Sequence, residues 1–352
     1  MSPRGTDWNL AVLVGARFLT GVLTLFSGSP DQGWVFAAHG IMGAALGGVL
    51  GWKLRRVWRR VASPSRWDRR TSLGILAVVL VGAALGSGWA WSAIGRTSFA
   101  GYTTLAWHSL LGFLLAVLVL AHAVGRAKRP RATDFTGRRQ FIRTAAVAVG
   151  AAAAWQVERP LSKLAGLRAG RRRFTGSYEE GSFGGNAFPT TSWVADRPRP
   201  LTSDYRLTVG GGQAKDRLEL GVSQLDAGDE LEATLDCTGG FYSTQRWRGI
   251  RLARLVDRAG AAGATHVRVV SQTGYRWSFR LADARRFLLA TSVGGEPLSH
   301  EHGAPVRLVA PGRRGFQWVK WVVRVELHDG PDPGAAASTV WSSFTRKGAG
   351  GA

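Results

Sequence analysis

The 352-residue chain contains a single cysteine, Cys237, and so can build neither a disulfide framework nor a cysteine-ligated zinc or iron–sulfur centre. Acidic residues are also scarce: 23 Asp and Glu face 46 Lys and Arg, a formal charge of +23. The scarcity is uneven. Residues 1–173 hold 5 acidic and 24 basic side chains, whereas residues 174–352 hold 18 and 22, so two differently built halves meet near position 173. The first half also lacks charge over several apolar runs, each near the ~20 residues that a hydrocarbon core requires. A wholly soluble protein is thereby excluded. The basic charge is not read as a nucleic-acid surface, and no nucleic-acid partner is expected.

Four runs read as spanning helices: Trp8 to Gly28, Trp34 to Trp52, Ser72 to Ile94 and Gly101 to Val124. The connection from Lys53 to Arg70 has eight basic residues and one acid, and Arg126 to Arg143 has seven and one, while the loops around Asp31 and Arg96 are nearly uncharged. By the positive-inside bias both basic stretches are cytoplasmic, which fixes the direction of every span. Residues 1–130 are therefore expected to form a four-helix transmembrane bundle.

Residues 131–173 read as a signal, anchor and linker. Thr136-Gly-Arg-Arg-Gln-Phe-Ile-Arg143 followed by the weakly apolar run Thr144 to Trp155 resembles a twin-arginine export signal, with Arg138-Arg139 as the pair. The plainer alternative is a basic cytoplasmic flank before a fifth helix. Either way the residues after about 160 lie outside a bacterial cell membrane.

Three of the seven histidines fall in predicted spans: His39, His108 and His122. His39 is five residues from the outer start of the second helix and His108 seven from that of the fourth, so the two imidazoles share a depth and could ligate one haem b iron from opposite sides. The alternative is a pair of interhelical hydrogen-bonding residues. His122 lies about 21 Å further along the same helix, but the residue that would partner it, fourteen after His39, is Lys53. One haem is better supported than two. Arg17 in the first helix needs a counter-charge, such as a haem propionate, unless it snorkels. Gly43, Gly47 and Gly51 form a small-residue stripe that would admit a macrocycle or another helix.

The second half shows short β-rich runs: Tyr205–Val209, Glu232–Leu235, His266–Ser271, Tyr275–Leu281, Pro305–Val309 and Trp318–Leu327. Helical patterns at Ile250 to Ala259 and Ala282 to Leu289 interrupt them, so an α+β, mostly β, domain is expected over 174–329, with a flexible tail at 330–352. Cys237 ends one strand-like run among glycines. By itself it reads as a small buried apolar residue or as a soft thiolate ligand for an oxo-metal centre, and Arg246, Arg248, Arg307, Arg313 and Lys320 are cations suited to a phosphate-bearing cofactor.

From about Phe174 to Leu327 the ordered pieces Gly185-Asn-Ala-Phe-Pro189, Cys237-Thr-Gly-Gly with Trp247-Arg-Gly-Ile250, Thr273-Gly-Tyr275, and His302-Gly-Ala-Pro-Val-Arg307 through Arg313 to Trp318-Val-Lys320 resemble a known family. It is the oxidoreductase molybdopterin-binding domain shared by sulfite oxidase and the bacterial periplasmic protein-methionine-sulfoxide reductase, here fused to a cytochrome b-like membrane domain. The resemblance implies that Cys237 supplies a molybdenum-ligating thiolate. It implies further that Asn186, Arg307, Trp318, Val319 and Lys320 hold the pterin and its phosphate, with Thr273 and Arg313 as further contacts. His302 stands where the sulfoxide reductases carry an asparagine. Sulfite oxidases of animals and plants have substrate-binding arginines shortly after the metal cysteine, where this chain has Phe241 and Tyr242. Tyr242 and the nearby Arg246 are the catalytic candidates beside Cys237, and Arg248 reads as a solvated side chain.

The combined expectation is a membrane enzyme that exchanges electrons with a quinone pool or other carrier through a haem. An extracytoplasmic molybdenum site would reduce a small-molecule or peptidyl S- or N-oxide. Sulfite oxidation and a non-catalytic, lipid-tethered binding module are the competing readings.

Overall fold

Ser2 starts the first helix: its Oγ accepts the Gly5 N–H at 2.9 Å, and Pro3 follows in the first helical position. In this computed structural model the described residues are 2–341 except 96, 127, 128, 130, 132, 133, 135, 136, 191–197, 199, 202 and 203. The chain divides into two compact units, Met1–Tyr178 and Glu179–Ala352.

The first unit is helical: α1 (Pro3–Thr24), α2 (Gly33–Val61), α3 (Arg69–Ile94), α4 (Thr104–Arg126) and α5 (Arg138–Leu164), with a small hairpin of β1 (Ser98–Phe99) and β2 (Tyr102–Thr103) between α3 and α4. Asp68 caps α3 by accepting the Thr71 N–H at 2.7 Å, and Gly95, at φ +99°, ends it. Among the described residues three helices are long and apolar enough to cross a membrane, over Pro30–Val61, Thr71–Ile94 and Thr104–His122. The expected first span does form a helix, α1, which carries Arg4, Asp7 and Arg17 and is not among these three.

α5 is the fifth helix that the plainer reading of this segment expected. It runs unbroken for 27 residues through Pro160 and packs on α2, so residues expected to be signal and linker belong to the helical unit. The ring of Trp155 occupies the space a Gly40 side chain would need, and Val147 lies 3.7 Å from where a Cβ on Gly48 would be. The anticipated glycine stripe is used unevenly: Gly43 receives the Arg17 guanidinium, Gly47 faces Leu85 of α3, and Gly51 meets nothing within 4 Å. The small residues thus serve helix–helix approach. Lys53 pairs with Asp7 at 2.9 Å, Arg143 lies over the Trp52 ring at 5.0 Å, and Ser2 N–H donates to Gln140 Oε1 at 3.2 Å. These contacts gather the starts of α1 and α5 and the basic half of α2 at one end of the unit.

The second unit has an α+β, mixed-sheet architecture. Its strands are β3 (Tyr178–Glu179), β4 (Leu207–Gly210), β5 (Leu218–Leu220), β6 (Asp229–Asp236), β7 (Phe241–Arg251), β8 (His266–Ser271), β9 (Arg276–Arg280), β10 (Leu288–Val293), β11 (Glu296–Pro297), β12 (Arg307–Val309) and β13 (Val322–His328). Short helices intervene: α6 (Val222–Leu225), α7 (Leu252–Ala259), α8 (Leu281–Ala284) and α9 (Ala335–Trp341). One sheet has the order β5-β4-β13-β8-β9, in which β4 and β13 are parallel; the other runs β11-β10-β7-β3, with β12 on β10 and β6 on β7. Leu207, Val269, Leu288, Leu289, Leu308 and Val325 are among the side chains wholly buried in its core.

Two expectations about elements are corrected. Ile250 and Arg251 belong to the end of β7, so the helix begins only at Leu252; the Ala282 to Leu289 pattern splits into α8 and the start of β10. β7 itself, eleven residues long, was absent from the sequence reading. Its buried face carries Ser243 and Gln245 between Phe241 and Trp247, and polar residues on both faces hide the period-two signal. Of the tail, α9 is described to Trp341; its remainder and Thr136 of the arginine motif lie outside the described residues.

Candidate active site

The β6–β7 hairpin fixes Cys237. Its N–H donates to Phe241 O at 2.8 Å, its carbonyl accepts the Gly240 N–H at 3.0 Å, and its Sγ accepts the Gly239 N–H at 3.3 Å. Gly240 turns the chain at φ +93°, a conformation that favours glycine. The sulfur is therefore held by backbone in a buried setting (8% exposed).

Arg307, the first residue of β12, is 2% exposed. Its guanidinium lies 5.1 Å from the Trp247 ring and 5.9 Å from the Trp318 ring, and Nη1 donates to His302 O at 3.0 Å. Its Nε is buried with no hydrogen-bond partner. Burial pushes the Arg307 pKa down to about 9, while the neighbouring Cys237 favours its charged form. A buried cation with an unused donor, beside a thiol, is a setting for an anionic group. Among the described residues no three His, Cys, Asp or Glu side chains converge as a metal cage. A metal on Cys237 would need to bring most of its ligands on an organic cofactor, and the donor set present fits that arrangement.

The other expected cofactor contacts separate into two groups. Trp318 and Val319 are buried beside Arg307: Trp318 provides a ring, and Val319 O accepts the Leu308 N–H at 2.7 Å. Gly303 brings Lys320 close, since a Cβ placed there would lie 3.0 Å from Lys320 Cβ and 3.1 Å from Arg307 Cβ. Lys320 Nζ donates to Glu301 O at 2.9 Å. Asn186 and His302 act as braces. Asn186 Nδ2 donates to Pro297 O at 2.9 Å and its Oδ1 accepts the Ser299 N–H at 2.9 Å. His302 Nε2 lies 2.9 Å from Phe188 O and its Nδ1 2.7 Å from Ser299 Oγ, so both ring nitrogens are occupied by protein groups; burial lowers its pKa.

Arg246, Arg313 and Thr273 are not drawn to the sulfur. Arg246 is on the outward face of β7, its side chain 77% exposed and 3.7 Å from Glu232. Arg313 Nη2 donates to Asp283 Oδ2 at 2.7 Å, and Thr273 Oγ1 to Ser271 Oγ at 3.2 Å. Arg248 pairs with Asp226 at 3.1 Å, as a solvated side chain would. Tyr242 stands opposite Asp236 in the hairpin register. The residue missed by sequence reasoning is Arg314, whose buried side chain donates to the Cys237 carbonyl; only the adjacent Arg313 was named, as a further pterin contact.

In the helical unit, the His39 and His108 rings lie 6.0 Å apart between centroids at 84°. His39 Nδ1 is 3.1 Å from Arg17 O, and His108 Nδ1 is 2.8 Å from Ala84 O. Carbonyls only accept, so both Nδ1 atoms carry the proton and both Nε2 atoms present a lone pair. Arg17 Nη2, an obligate donor, lies 3.0 Å from His39 Nε2 and selects the same tautomer. Each ring rests where a glycine leaves room: a Cβ on Gly21 would lie 3.3 Å from His39 Cε1, and one on Gly88 2.9 Å from His108 Cε1. Each ring thus bonds a carbonyl of a neighbouring helix, and Arg17 occupies the His39 Nε2 lone pair that an axial metal ligand would use.

Residues 194–336 match the family model described as oxidoreductase molybdopterin binding domain. This segment is similar to oxidoreductase domains of that type, and the chain's relatives include sulfite oxidase and a protein-methionine-sulfoxide reductase subunit. The mitochondrial sulfite oxidase of Rattus norvegicus is 32% identical over 157 residues, 35% of this chain and 29% of that protein. This chain thus spans under a third of that relative. The protein-methionine-sulfoxide reductase catalytic subunit MsrP of Gluconobacter oxydans is 28% identical over 257 residues, 62% of this chain and 78% of that protein. Among solved structures, the sulfane dehydrogenase SoxCD of Paracoccus pantotrophus is 26% identical over 37% of this chain and 40% of that one, with a TM-score of 0.35.

Proposed function

We propose that the chain is a membrane-bound molybdopterin-dependent oxidoreductase that draws electrons from the quinone pool or another carrier through a haem b and reduces S- or N-oxides at an extracytoplasmic molybdenum centre. The observation that carries the catalytic part is the backbone-held sulfur of Cys237 beside the fully buried cation of Arg307. When bound, such a centre supplies two-electron oxygen-atom exchange.

The chain's own residues hold and seal it. Cys237 ligates and tunes the metal, with the Gly239 N–H withdrawing charge from the sulfur. Arg307 supplies positive charge against the cofactor, with its unused Nε–H as one donor, and Trp247 and Trp318 exclude water from the guanidinium. Lys320 serves as a second cation for the pterin phosphate. Asn186 and His302 hold the 299–302 turn whose carbonyls receive Lys320 and Arg307. Phe241, wholly buried after the cysteine, favours an uncharged oxide over sulfite.

Haem ligation by His39 and His108 requires Arg17 to leave His39 Nε2, and it is supported by the two Nδ1–H tautomers and by the glycines under both rings. A bacterial membrane with the second unit outside is supported by the apolar spans and by the basic residues gathered at one end of the helical unit. Sulfite oxidation is the second reading, favoured by the identity to sulfite oxidases and by a buried arginine beside the metal-binding thiol.

The test is purification of the full chain in detergent from a cofactor-competent host, followed by parallel assays of methionine sulfoxide reduction and sulfite oxidation with artificial carriers. One molybdenum per chain, a b-type spectrum and faster sulfoxide turnover support the proposal. Absence of molybdenum from correctly exported protein overturns it in favour of a tethered binding module, and sulfite turnover alone selects the second reading.

A further inference from the structure

We infer that Arg314, held by Asp236, is a positioning residue for the Cys237 thiolate; the inference rests on Cys237 being the metal ligand. Three observations converge. Arg314 Nη1 donates to Asp236 Oδ1 at 2.6 Å, and Nη2 of the same guanidinium donates to the Cys237 carbonyl at 3.3 Å. One planar group thus grips the side chain of one residue and the main chain of the next, which restrains the peptide that carries the sulfur. Asp236 and Arg314 also form a strand-like parallel bridge, and the Arg314 N–H donates to Gln317 Oε1 at 3.1 Å, so the arginine's own backbone is fixed. Finally, the chain after Arg314 passes directly under the cysteine: a Cβ on Gly315 would lie 3.0 Å from Cys237 Cα.

The two side chains are 2% and 4% exposed. A buried ion pair is often replaceable by apolar residues of similar volume without loss of stability, so packing alone does not account for one at this position. An apolar pair would fill the space but would leave the Cys237 carbonyl with the Gly240 N–H and without the guanidinium that ties it to Asp236. The pair also places a compensated cation and anion beside the sulfur. Removing either partner changes the charge beside Cys237 by one unit.

The pair therefore has a signature that a plain strand brace lacks. Full-length wild type, Asp236→Asn, Arg314→Met and Arg314→Lys are purified from a cofactor-competent host. For each, molybdenum per chain, thermal melting, the midpoint potential of the metal and the paramagnetic resonance of its one-electron-reduced form are measured. Asp236→Asn removes one negative charge beside Cys237 and is expected to shift the midpoint to more positive values; Arg314→Met removes one positive charge and shifts it to more negative values. Arg314→Lys keeps the charge and loses the fork, so its midpoint stays near wild type while the cysteine β-proton couplings change with the thiolate torsion.

A variant that melts like wild type but holds no metal also supports the clamp. Where a single variant does not fold, the neutral pair Asp236→Asn/Arg314→Gln replaces it and is expected to load metal with a wild-type midpoint. Loaded variants with wild-type resonance and potential overturn the inference, as does a loaded neutral pair whose midpoint differs from wild type. A wild type without molybdenum overturns the underlying reading of Cys237 instead, which keeps the two failures apart.

Discussion

The two units bury their apolar residues by opposite rules. In the helical unit the buried hydrophobic cluster is small, Val14, Leu46, Val81 and Leu115, while Leu19, Leu76, Val79, Phe113, Val117 and Leu120 face outward. In the second unit large apolar side chains are inside, and among its described residues Phe183 and Val222 are the large hydrophobics that stand exposed. The contrast is compatible with a membrane protein whose helical unit meets lipid. Where lipid surrounds the helices, apolar burial gives little drive, and small residues, polar pairs and close approach must hold them; in water, burial itself holds the sheets.

The proposed chemistry divides along the same line, and the largest expected effects come from breaking one unit's proposed site while sparing the other's. Cys237→Ser should remove molybdenum from the chain and with it turnover, well beyond the about 10–100-fold cost of altering an outer partner of a metal site, while the b-type spectrum persists. Elemental analysis and visible spectroscopy on the same sample check this. His39→Ala and His108→Ala should do the reverse, abolishing the b-type band and leaving the metal content unchanged. Loss of both signals in either variant would show that the two sites do not assemble independently.

Stability should follow the contrast in burial. Leu288→Ala, in the wholly buried core of the second unit, is expected to cost about 2–5 kcal/mol in a denaturant melt followed by tryptophan fluorescence. Leu46→Ala in the helical unit should cost roughly half of that or less, because lipid offers the exposed surface no penalty. Equal costs would break the comparison.

Arg307→Met should separate stability from function within one unit. In chain produced without cofactor, replacing the buried cation is expected to stabilise by on the order of 1–3 kcal/mol at pH 7, while cofactor content in a competent host falls. The sign with pH follows from linkage. Burial holds Arg307 near about 9 in the fold, below its unfolded value, so the unfolded state binds more protons above that pH and wild-type stability rises there. The advantage of methionine should therefore shrink as pH climbs through about 9, as melts across pH 7 to about 10.5 would read.

The smallest effect is expected from Arg246→Gln. Its exposed side chain should leave stability within about 0.5 kcal/mol and turnover within about twofold. A large fall in sulfoxide turnover would return Arg246 to the pocket.

How far the site was legible depended on how local each signal is. The depth match of His39 and His108 followed from a fixed rise per residue, and the structure brings the rings together. The carbonyls that set their tautomers, on Arg17 and Ala84, come from other helices and leave no mark near either histidine. Cys237 was legible through ordered motifs, and strand His266–Ser271 through its alternation. The register of β10 against β7 and β12 was not, nor was β7 itself with its buried Ser243 and Gln245.

The arginines make the division plain. Charge, run length and residue order alone set apart a half with long apolar helices from a half of short strands, and showed that a thiol and several cations accompany each other in the second. Only tertiary structure decided that Arg307 is sealed against two tryptophans, that Arg246 faces solvent, and that of two adjacent arginines Arg314 turns inward to Asp236 while Arg313 pairs with Asp283. Side-chain burial depends on which strands meet and in what register, and that pairing is set by contacts tens of residues apart.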